Sequence, residues 1–268
     1  MPFPSRSVLD AWDLADPQPA PRSGLDAQYF VVSHQTGPAW LRRQGSTRRS
    51  PEVTAALCAH LAATGLPVCQ PIPTRTSGWS HGIWTLWREV PGPPATPDDY
   101  PALGALLARV HALPLIGLPR RPSLEPDLLA HLTPAERSLL AGYPNAIAHL
   151  DVHLYNAIAS TSGLVLLDWF NAGLVPAPFD LAVAVVFAYE HTSQSVAAPL
   201  ALLDGYGPSL RTLAAVRDLL PAAGSALARR ASSHHHSLAR RFADSGPLLA
   251  ALLDGYPAHR LPEDDDDS

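Results

Sequence analysis

The sequence predicts an α+β protein with two lobes: a small antiparallel sheet with one helix, followed by a larger and mainly helical part. Short β-branched and aromatic segments are concentrated before residue 91, and apolar helical patterns dominate after it. The break Val90-Pro-Gly-Pro-Pro94 separates the two patterns. We therefore expect an N-terminal lobe at 1–90, a C-terminal lobe at 91–261 and a disordered acidic tail at 262–268.

The N-terminal lobe opens with a proline-rich segment, 1–21, which we expect to be weakly ordered or to lie as a strap along the surface. A helix is predicted from Pro51 to about Ala63, because Ser50 can cap it and Gly65 can end it. The strand candidates of this lobe are Gln28–Val32, Ala39–Arg42, Leu66–Ile72 and Gly82–Val90. The first two flank a turn and predict a hairpin.

The C-terminal lobe contains a series of apolar patterns with helical spacing. The predicted helices are Pro101–Leu113, Asp127–His131, Thr133–Ala141, Phe179–His191, Val196–Tyr206, Leu210–Leu220, Leu227–Phe242 and Pro247–Tyr256. The hexapeptide Ala-Leu-Leu-Asp-Gly-Tyr occurs at 201–206 and again at 251–256. We interpret both copies as helix ends that stop at a glycine.

Composition restricts the classes of protein that the chain can represent. Hydrophobic residues make up 47% of the sequence, yet no apolar run is long enough to span a bilayer, and the N-terminus lacks the apolar core of a secretory signal. Two cysteines are too few for a disulfide scaffold. The formal charge is −5, without an extended basic surface signal. We expect a cytoplasmic protein that binds neither membrane nor nucleic acid; the sequence indicates no oligomeric state.

Polar side chains are concentrated in one otherwise apolar stretch, 149–182. Phosphoryl transfer from ATP requires a carboxylate near the acceptor hydroxyl and oxygen ligands for Mg²⁺. Asp151 can be the carboxylate that receives the proton, and Asn156 and Asp168 can be the metal ligands. A tight loop between Asp151 and Asn156 would point both side chains into one cleft, and a following strand would return Asp168 to them.

A different class of chemistry fits part of the same stretch. His149, Asp151 and His153 occupy alternate positions, which on a strand would face one side. Two imidazoles and a carboxylate can bind a catalytic zinc or iron ion. The alternative is therefore a metal-dependent hydrolase, although it leaves Asn156 and Asp168 without a role.

Three motifs carry a family resemblance: His-Leu-Asp-Val-His-Leu-Tyr-Asn at 149–156, Leu-Leu-Asp-Trp at 166–169 and Pro-Phe-Asp-Leu-Ala at 178–182. Together with Leu-Gly-Ala-Leu-Leu-Ala-Arg-Val-His-Ala-Leu at 103–113, they resemble the aminoglycoside phosphotransferase and choline-kinase-like family of small-molecule kinases. The resemblance implies a bilobal, protein-kinase-like fold. It further implies that Asp151 is the catalytic base, that His149 orients its loop, that Asn156 and Asp168 hold Mg²⁺, and that Asp180 is a structural carboxylate.

The resemblance also assigns the nucleotide contacts. The family usually presents a lysine or arginine to the phosphates, paired with a glutamate on the next helix. All 19 basic residues here are arginine, so Arg42 and Glu52 are the candidates, with Arg43 as a neighbouring alternative. Both arginines could instead be surface charges at a strand end. Adenine is expected to contact the backbone near Glu89 and Val90.

Two positions depart from the family pattern: Leu150 and Tyr155 stand where glycine is common. If the second glycine normally has a positive φ, Tyr155 would be strained. The resulting hypothesis is ATP- and Mg-dependent phosphoryl transfer to a hydroxyl of a small molecule, such as an amino sugar or amino alcohol. Glu190, Asp204 and Asp218 could attract a cationic acceptor, or simply be solvated. A catalytically silent nucleotide-binding relative is the alternative.

Overall fold

The computed structural model describes residues 3–20, 27–44, 50–118, 126–231 and 236–253. The chain forms two compact units. The first comprises Met1–Gly92, Gly117–Arg121 and Ser160–Phe170, and the second comprises Pro93–Ile116, Pro122–Ala159 and Asn171–Ser268. The predicted tail at 262–268 lies outside the described residues, and so does the second half of the second hexapeptide, 254–256.

The described residues contain nine strands and eight α-helices. The strands are β1 (Ala15–Pro19), β2 (Ala27–His34), β3 (Gly37–Gln44), β4 (Pro71–Ile72), β5 (Trp84–Arg88), β6 (Asn145–Ala148), β7 (Ala157–Ser160), β8 (Gly163–Leu166) and β9 (Gly173–Pro176). The helices are α1 (Arg6–Asp10), α2 (Pro51–Ala63), α3 (Tyr100–His111), α4 (Pro134–Leu140), α5 (Ala177–His191), α6 (Ala197–Tyr206), α7 (Leu210–Ala231) and α8 (His236–Leu253). The predicted α+β class is confirmed, with an antiparallel sheet in the N-terminal part and a helical C-terminal part.

An antiparallel sheet of five strands, in the order β1-β2-β3-β5-β4, forms the first unit. The predicted hairpin is confirmed as β2 and β3. Strand β3 lies between β2 and β5, which places Arg42 opposite Tyr29 on one side and Thr85 on the other. Helix α2 spans Pro51–Ala63, as predicted from its capping serine and proline.

The N-terminal segment is part of this unit's core and is not loosely attached. Val8, Trp12 and Leu14 are buried in the same hydrophobic cluster as the sheet residue Phe30. The indole N–H of Trp12 donates to the carbonyl of Ile72 at 2.9 Å. Three buried apolar side chains are sufficient to anchor the segment.

The strand predicted at Leu66–Ile72 is mostly irregular, since only Pro71 and Ile72 pair with β5. Prolines 67, 71 and 73 provide no backbone N–H for a ladder. Val68 instead forms a parallel bridge with Leu166, at the end of β8. Asp168, two residues later, is therefore anchored to the first unit by its own strand.

Helices dominate the second unit, and α5 lies at its centre. Twelve consecutive residues of α5, Phe179–Glu190, are buried. A helix that is apolar on every side must be surrounded by other elements. A two-stranded antiparallel sheet, β6 with β9, belongs to the same unit and leads directly into the predicted catalytic loop. Within the described residues, every helix is too short or too polar to cross a lipid bilayer.

The predicted helix boundaries after residue 210 were wrong. We expected breaks near Pro221 and before Pro247, but α7 continues through the first proline and α8 through the second. A proline inside a helix costs about 3 kcal/mol of intrinsic propensity. Burial of residues on both sides of Pro221, including Leu220 and Ala222, outweighs that cost.

The glycine stop predicted in the first hexapeptide lies two residues too early. Gly205 is inside α6, and the helix ends at Gly207, whose φ of +64° is the left-handed conformation of a helix C-terminus. Gly205 is required for a different reason: a Cβ atom there would lie 2.0 Å from the carbonyl oxygen of Pro101 on α3. Gly104 of α3 is equally close to the backbone of α6.

Candidate active site

A buried carboxylate organises the loop that begins at His149. The two oxygens of Asp180, in the first turn of α5, accept hydrogen bonds from the backbone N–H groups of His149 at 2.8 Å and Leu150 at 2.7 Å. The side chains of His149 and Asp180 are both fully buried. These bonds fix the backbone immediately before Asp151, and they agree with the structural role expected for Asp180.

The backbone strain lies at Leu150 and not at Tyr155. Leu150 has a φ of +61°, whereas Tyr155 is outside the positive-φ region. Of the two positions where the family commonly has glycine, only 150 therefore has the conformation that favours glycine. The hydrogen bond from the Leu150 N–H to Asp180 and the complete burial of the Leu150 side chain hold this conformation. Asp168 also has a positive φ, of +55°.

His111 extends the support behind Asp180. Its Nε2 lies 3.0 Å from Asp180 Oδ2, and its Nδ1 lies 2.9 Å from the hydroxyl of Tyr206. Burial raises the pKa of Asp180, but the hydrogen bond and charge of His111 and the amide of His149 outweigh it, so the pKa lies below its usual value. Burial, followed by the charge of Asp180, raises the pKa of Tyr206 to about 12. Asp180 is thus ionised and Tyr206 neutral at pH 7.

Asp151 and Asn156 are linked by the loop between them. Asn156 Nδ2 donates to the carbonyl oxygen of Asp151 at 2.9 Å, and it lies 3.2 Å from His153 Nε2. Asp151 Oδ2 accepts from Asn171 Nδ2 at 3.0 Å. Asp151 Oδ1 approaches His153 Nε2 at 3.7 Å, which is too long for a hydrogen bond. Among the described residues, Oδ1 therefore has no donor within hydrogen-bond distance.

Aromatic and imidazole rings surround this loop. His153 contacts His191 and Tyr155, with ring centroids 4.8 and 5.8 Å apart, and Tyr155 lies 5.1 Å from His191. Tyr155 is 72% exposed although two rings support it. Burial, followed by the charge of His153, lowers the pKa of His191 to about 4, so that imidazole is neutral at pH 7. The loop that contains Tyr155 thus presents a ring surface beside Asp151.

In the first unit, Arg42 pairs with Asp168. Arg42 Nη1 donates to Asp168 Oδ1 at 2.9 Å. The guanidinium carbon lies 3.5 Å from the ring centre of Phe170 and 5.2 Å from that of Tyr29. Burial raises the pKa of Tyr29 to about 12, despite the opposing charge of Arg42. Arg42 is therefore a buried group held by a carboxylate and two rings; it is not a surface charge.

Glu52 does not form the expected pair with Arg42. Its carboxylate accepts hydrogen bonds from the N–H of Trp79, at 2.9 and 3.0 Å to the two oxygens, and from the hydroxyl of Ser80 at 2.8 Å. The start of α2 directs Glu52 to the loop before β5, where two donors satisfy it. A carboxylate so engaged stabilises that loop, and Arg42 pairs with Asp168 instead.

Glu89 and Val90 directly follow β5, as the predicted adenine contact requires. The N–H of Glu89 donates to the carbonyl oxygen of Pro38 at 3.2 Å, and its side chain is exposed. The backbone groups of Val90 form no hydrogen bond within the described part of the chain. Val90 can therefore offer its N–H and C=O to a ligand.

The donor set fits Mg²⁺ better than zinc or iron. Within the ranges that the structure describes, no group of three His, Cys, Asp or Glu side chains is placed to hold a metal ion. The alternative set of His149, Asp151 and His153 is therefore not assembled. Because the Nδ2 of Asn156 is occupied by Asp151, its Oδ1 is the end that can bind a cation. Amide and carboxylate oxygens are the ligands that Mg²⁺ prefers.

Glu190 was expected to attract a cationic acceptor, but its carboxylate is buried and already paired with a cation of the protein. Arg241 forms an ion pair with its carboxylate, and the hydroxyl of Ser245 donates to it. Asp218 pairs with its neighbour Arg217 at 3.1 Å. Glu190 and Asp218 are therefore paired with arginines of the protein itself.

Four residues of the site were not assigned by sequence reasoning: Asn171, Phe170, His111 and His191. The first two follow Asp168 directly, but no spacing rule distinguishes them from other loop residues. His111 lies in the Val-His-Ala-Leu end of the motif at 103–113, and its place on an amphipathic helix was a usable signal. His191 becomes part of the site only through the packing of α5 against the loop, where its ring contacts those of His153 and Tyr155.

Comparison with known proteins agrees with this geometry. The sequence profile of the phosphotransferase enzyme family matches residues 18–142. The resemblance to this family is confirmed. The phosphotransferase profile ends before the motifs at 149–182, so the arrangement of those motifs rests on the structure. No curated protein matches the chain.

Solved structures similar to this chain are kinases of small molecules. An aminopropanol kinase associated with a microcompartment shares 16% identity, with a TM-score of 0.65 over 95% of this chain and 97% of its own. Amicoumacin kinase in complex with AMP-PNP, Ca²⁺ and Ami shares 15%, with a TM-score of 0.61 over 91% and 90%. Choline kinase from Cryptosporidium parvum Iowa II shares 13%, with a TM-score of 0.63 over 90% of each chain. These structures confirm the predicted fold, and the profile match over 18–142 agrees with the predicted small-molecule phosphotransferase.

Proposed function

We propose that this protein transfers the γ-phosphoryl group of ATP to a hydroxyl group of a small molecule. Asp151 is the catalytic base that accepts the hydroxyl proton, and His149 holds the start of its loop. The observation that carries this proposal is the fixed orientation of Asp151. Asn171 donates to one carboxylate oxygen, and the other oxygen lies 3.7 Å from His153 Nε2, beyond hydrogen-bond distance.

The nucleotide and its metal are assigned to a second group of residues. Asn156 and Asp168 would hold Mg²⁺, which when bound neutralises charge on the phosphates. Arg42 would bind the phosphates, since a planar guanidinium can donate two parallel hydrogen bonds. Glu89 and Val90 would contact adenine, and Glu52 would support this region through the loop that it anchors. The AMP-PNP and Ca²⁺ complex of amicoumacin kinase supports a nucleotide with a divalent cation.

The acceptor is proposed to be an amino alcohol, an amino sugar or a similar hydroxyl-bearing metabolite. Aminopropanol kinase and choline kinase among the similar structures support the amino-alcohol class. The rings of His153, Tyr155 and His191 offer faces for one ammonium group or for an apolar edge. The neutralised Glu190 argues against a polycationic acceptor. A cytoplasmic location, and an acceptor other than nucleic acid or membrane, stay predictions.

Replacement of the base tests the proposal. Asp151→Asn should reduce acceptor-dependent ATP consumption about a hundredfold or more, because the amide cannot take the proton. Asp168→Ala should abolish consumption through loss of a metal ligand. The assay screens amino alcohols, amino sugars, ribosides and glycated amines with Mg·ATP. Asp244→Asn on the exposed face of α8 is the matched control and should retain full activity.

Two outcomes would contradict the proposal. Unchanged rates in both variants would exclude Asp151 and Asp168 from the reaction. Binding of ATP by the unaltered protein without turnover of any acceptor would favour a silent nucleotide-binding protein.

A further inference from the structure

The two charged groups assigned to the phosphates and to the metal bind each other in this structure. Arg42 Nη1 and Asp168 Oδ1 are 2.9 Å apart, within normal hydrogen-bond distance. The Arg42 side chain is 10% exposed and that of Asp168 is 33% exposed. Because the pair is partly shielded from water, its attraction is stronger than that of a surface ion pair.

An aromatic slot fixes Arg42 in this position. The guanidinium stacks at 3.5 Å over Phe170, and the rim of the slot is completed by Tyr29 at 5.2 Å. Phe170 is itself held by Trp87, with ring centroids 6.1 Å apart. A planar, weakly hydrated guanidinium suits such a slot better than an ammonium group would. The aromatic slot therefore favours contact between the Arg42 guanidinium and Asp168.

Within the described residues, Arg42 has no second carboxylate to which it could move. Glu52, the other expected partner, is occupied by Trp79 and Ser80. An arginine that leaves Asp168 therefore needs an anion from outside the protein. Phosphate groups are such anions, and they accept bidentate hydrogen bonds from guanidinium.

We propose that Arg42 and a divalent cation compete for Asp168, so that the cation binds there tightly only when phosphate draws Arg42 away. The identities of cation and phosphate rest on the proposed function. Two cations at contact distance from one carboxylate repel each other, which weakens binding of the metal alone. Metal and nucleotide consequently bind with positive cooperativity, and Arg42 is the group that couples them.

Manganese binding without nucleotide tests this competition. Free Mn²⁺ is measured by electron paramagnetic resonance while it is titrated into the unaltered protein and into Arg42→Gln. The variant should bind Mn²⁺ about tenfold more tightly, because the competing positive charge is gone. Addition of AMP-PNP should tighten Mn²⁺ binding in the unaltered protein and change it much less in the variant. Equal Mn²⁺ affinities without nucleotide would overturn the proposal.

Two further variants keep the test interpretable. Arg43→Gln removes the same charge from the next position of β3, whose side chain faces the opposite side, and should leave Mn²⁺ affinity unchanged. An equal gain in Arg43→Gln would also overturn the proposal, since it would indicate net charge alone. Phe170→Leu keeps both charges but removes the stacking ring, and should tighten Mn²⁺ binding several-fold, to a smaller extent than Arg42→Gln.

If thermal unfolding shows that Arg42→Gln does not fold, Phe170→Leu becomes the deciding variant, and an unchanged Mn²⁺ affinity in it overturns the proposal. The test also separates this inference from the proposed function. Failure of the unaltered protein to bind AMP-PNP would count against the kinase assignment. The Mn²⁺ comparison without nucleotide would still measure the competition at Asp168.

Discussion

Leu150 shows how much of the site depends on one backbone conformation. Its φ of +61° is unfavourable for a residue with a Cβ atom, by about 1–2 kcal/mol. Two hydrogen bonds to Asp180 and a fully buried side chain hold the residue there. The next residue is Asp151, so the conformation of Leu150 sets the direction in which the side chain of this proposed base projects.

Because of this conformation, we expect glycine to be a more stable replacement than alanine at position 150, which is the reverse of the usual order. Leu150→Ala and Leu150→Gly both remove a buried side chain, at a cost of about 3 kcal/mol. Glycine avoids the left-handed penalty, so Leu150→Gly should be the more stable of the two by about 1 kcal/mol. Urea unfolding measures both.

The control is the same pair of substitutions at Leu107, a buried residue inside α3 with ordinary helical conformation. There alanine should be more stable than glycine by about 1 kcal/mol. If alanine is also the better residue at position 150, the left-handed conformation is not a source of strain.

At the scale of elements, the crossing of α3 and α6 connects the helical frame to the loop. Gly104 and Gly205 allow the two backbones to touch, since a Cβ at either position would lie 2.0 Å from a carbonyl oxygen of the other helix. The same crossing brings His111 of α3 within 2.9 Å of Tyr206 of α6. His111 in turn contacts Asp180, so the close approach of two helices supports the catalytic loop.

Gly104→Ala and Gly205→Ala should each destabilise the protein by about 1–3 kcal/mol, because backbone atoms cannot yield to the added methyl group. This is opposite to the usual gain of roughly 1 kcal/mol when alanine replaces a helical glycine. Thermal or urea unfolding measures the change. Gly142→Ala, where the nearest atom would be 3.7 Å from the Cβ, serves as the control and should be close to neutral. A stabilised Gly205→Ala would contradict the close crossing.

At the scale of the whole molecule, His191 should make global stability depend on pH. The folded protein lowers its pKa from 6.5 to about 4, so between these values the unfolded chain binds a proton that the folded chain does not. Stability contributed by neutral His191 is therefore complete above pH 6.5 and is lost as pH falls toward 4.

We expect the free energy of unfolding to decrease between pH 7 and pH 5, with about 1 kcal/mol of that decrease due to this half-buried side chain. His191→Phe should lack that part of the decrease. His81→Phe at an exposed position is the control and should follow the unaltered protein. Urea unfolding across this range decides: parallel curves for His191→Phe and the unaltered protein would exclude the contribution.

The sequence predicts local features well where one short pattern determines them. The α2 boundaries follow from a capping serine, a proline and a terminal glycine, and the β2–β3 hairpin follows from strands around a turn. The site motifs at 149–182 are likewise readable, because each functional group lies within a few residues of the next. These predictions need no knowledge of distant contacts.

Features that depend on distant packing were not predictable. The continuity of α7 through Pro221 depends on helices that bury it, and Gly205 has its role only because α3 crosses there. The partner of Arg42 is 126 positions away in the sequence, whereas Glu52 was expected as its partner because the resemblance pairs this cation with a glutamate on the next helix. Local patterns do not contain that information.

The guanidinium beside Asp168 also has a practical consequence for detecting this protein. Reagents that identify nucleotide-binding proteins by transferring an acyl group to a nearby amine require a lysine. Here the phosphate-binding candidate is Arg42, whose guanidinium is a poor nucleophile, and the chain has no lysine. Such surveys would therefore miss the proposed nucleotide site, whereas a photoreactive nucleotide that inserts into C–H bonds would detect it.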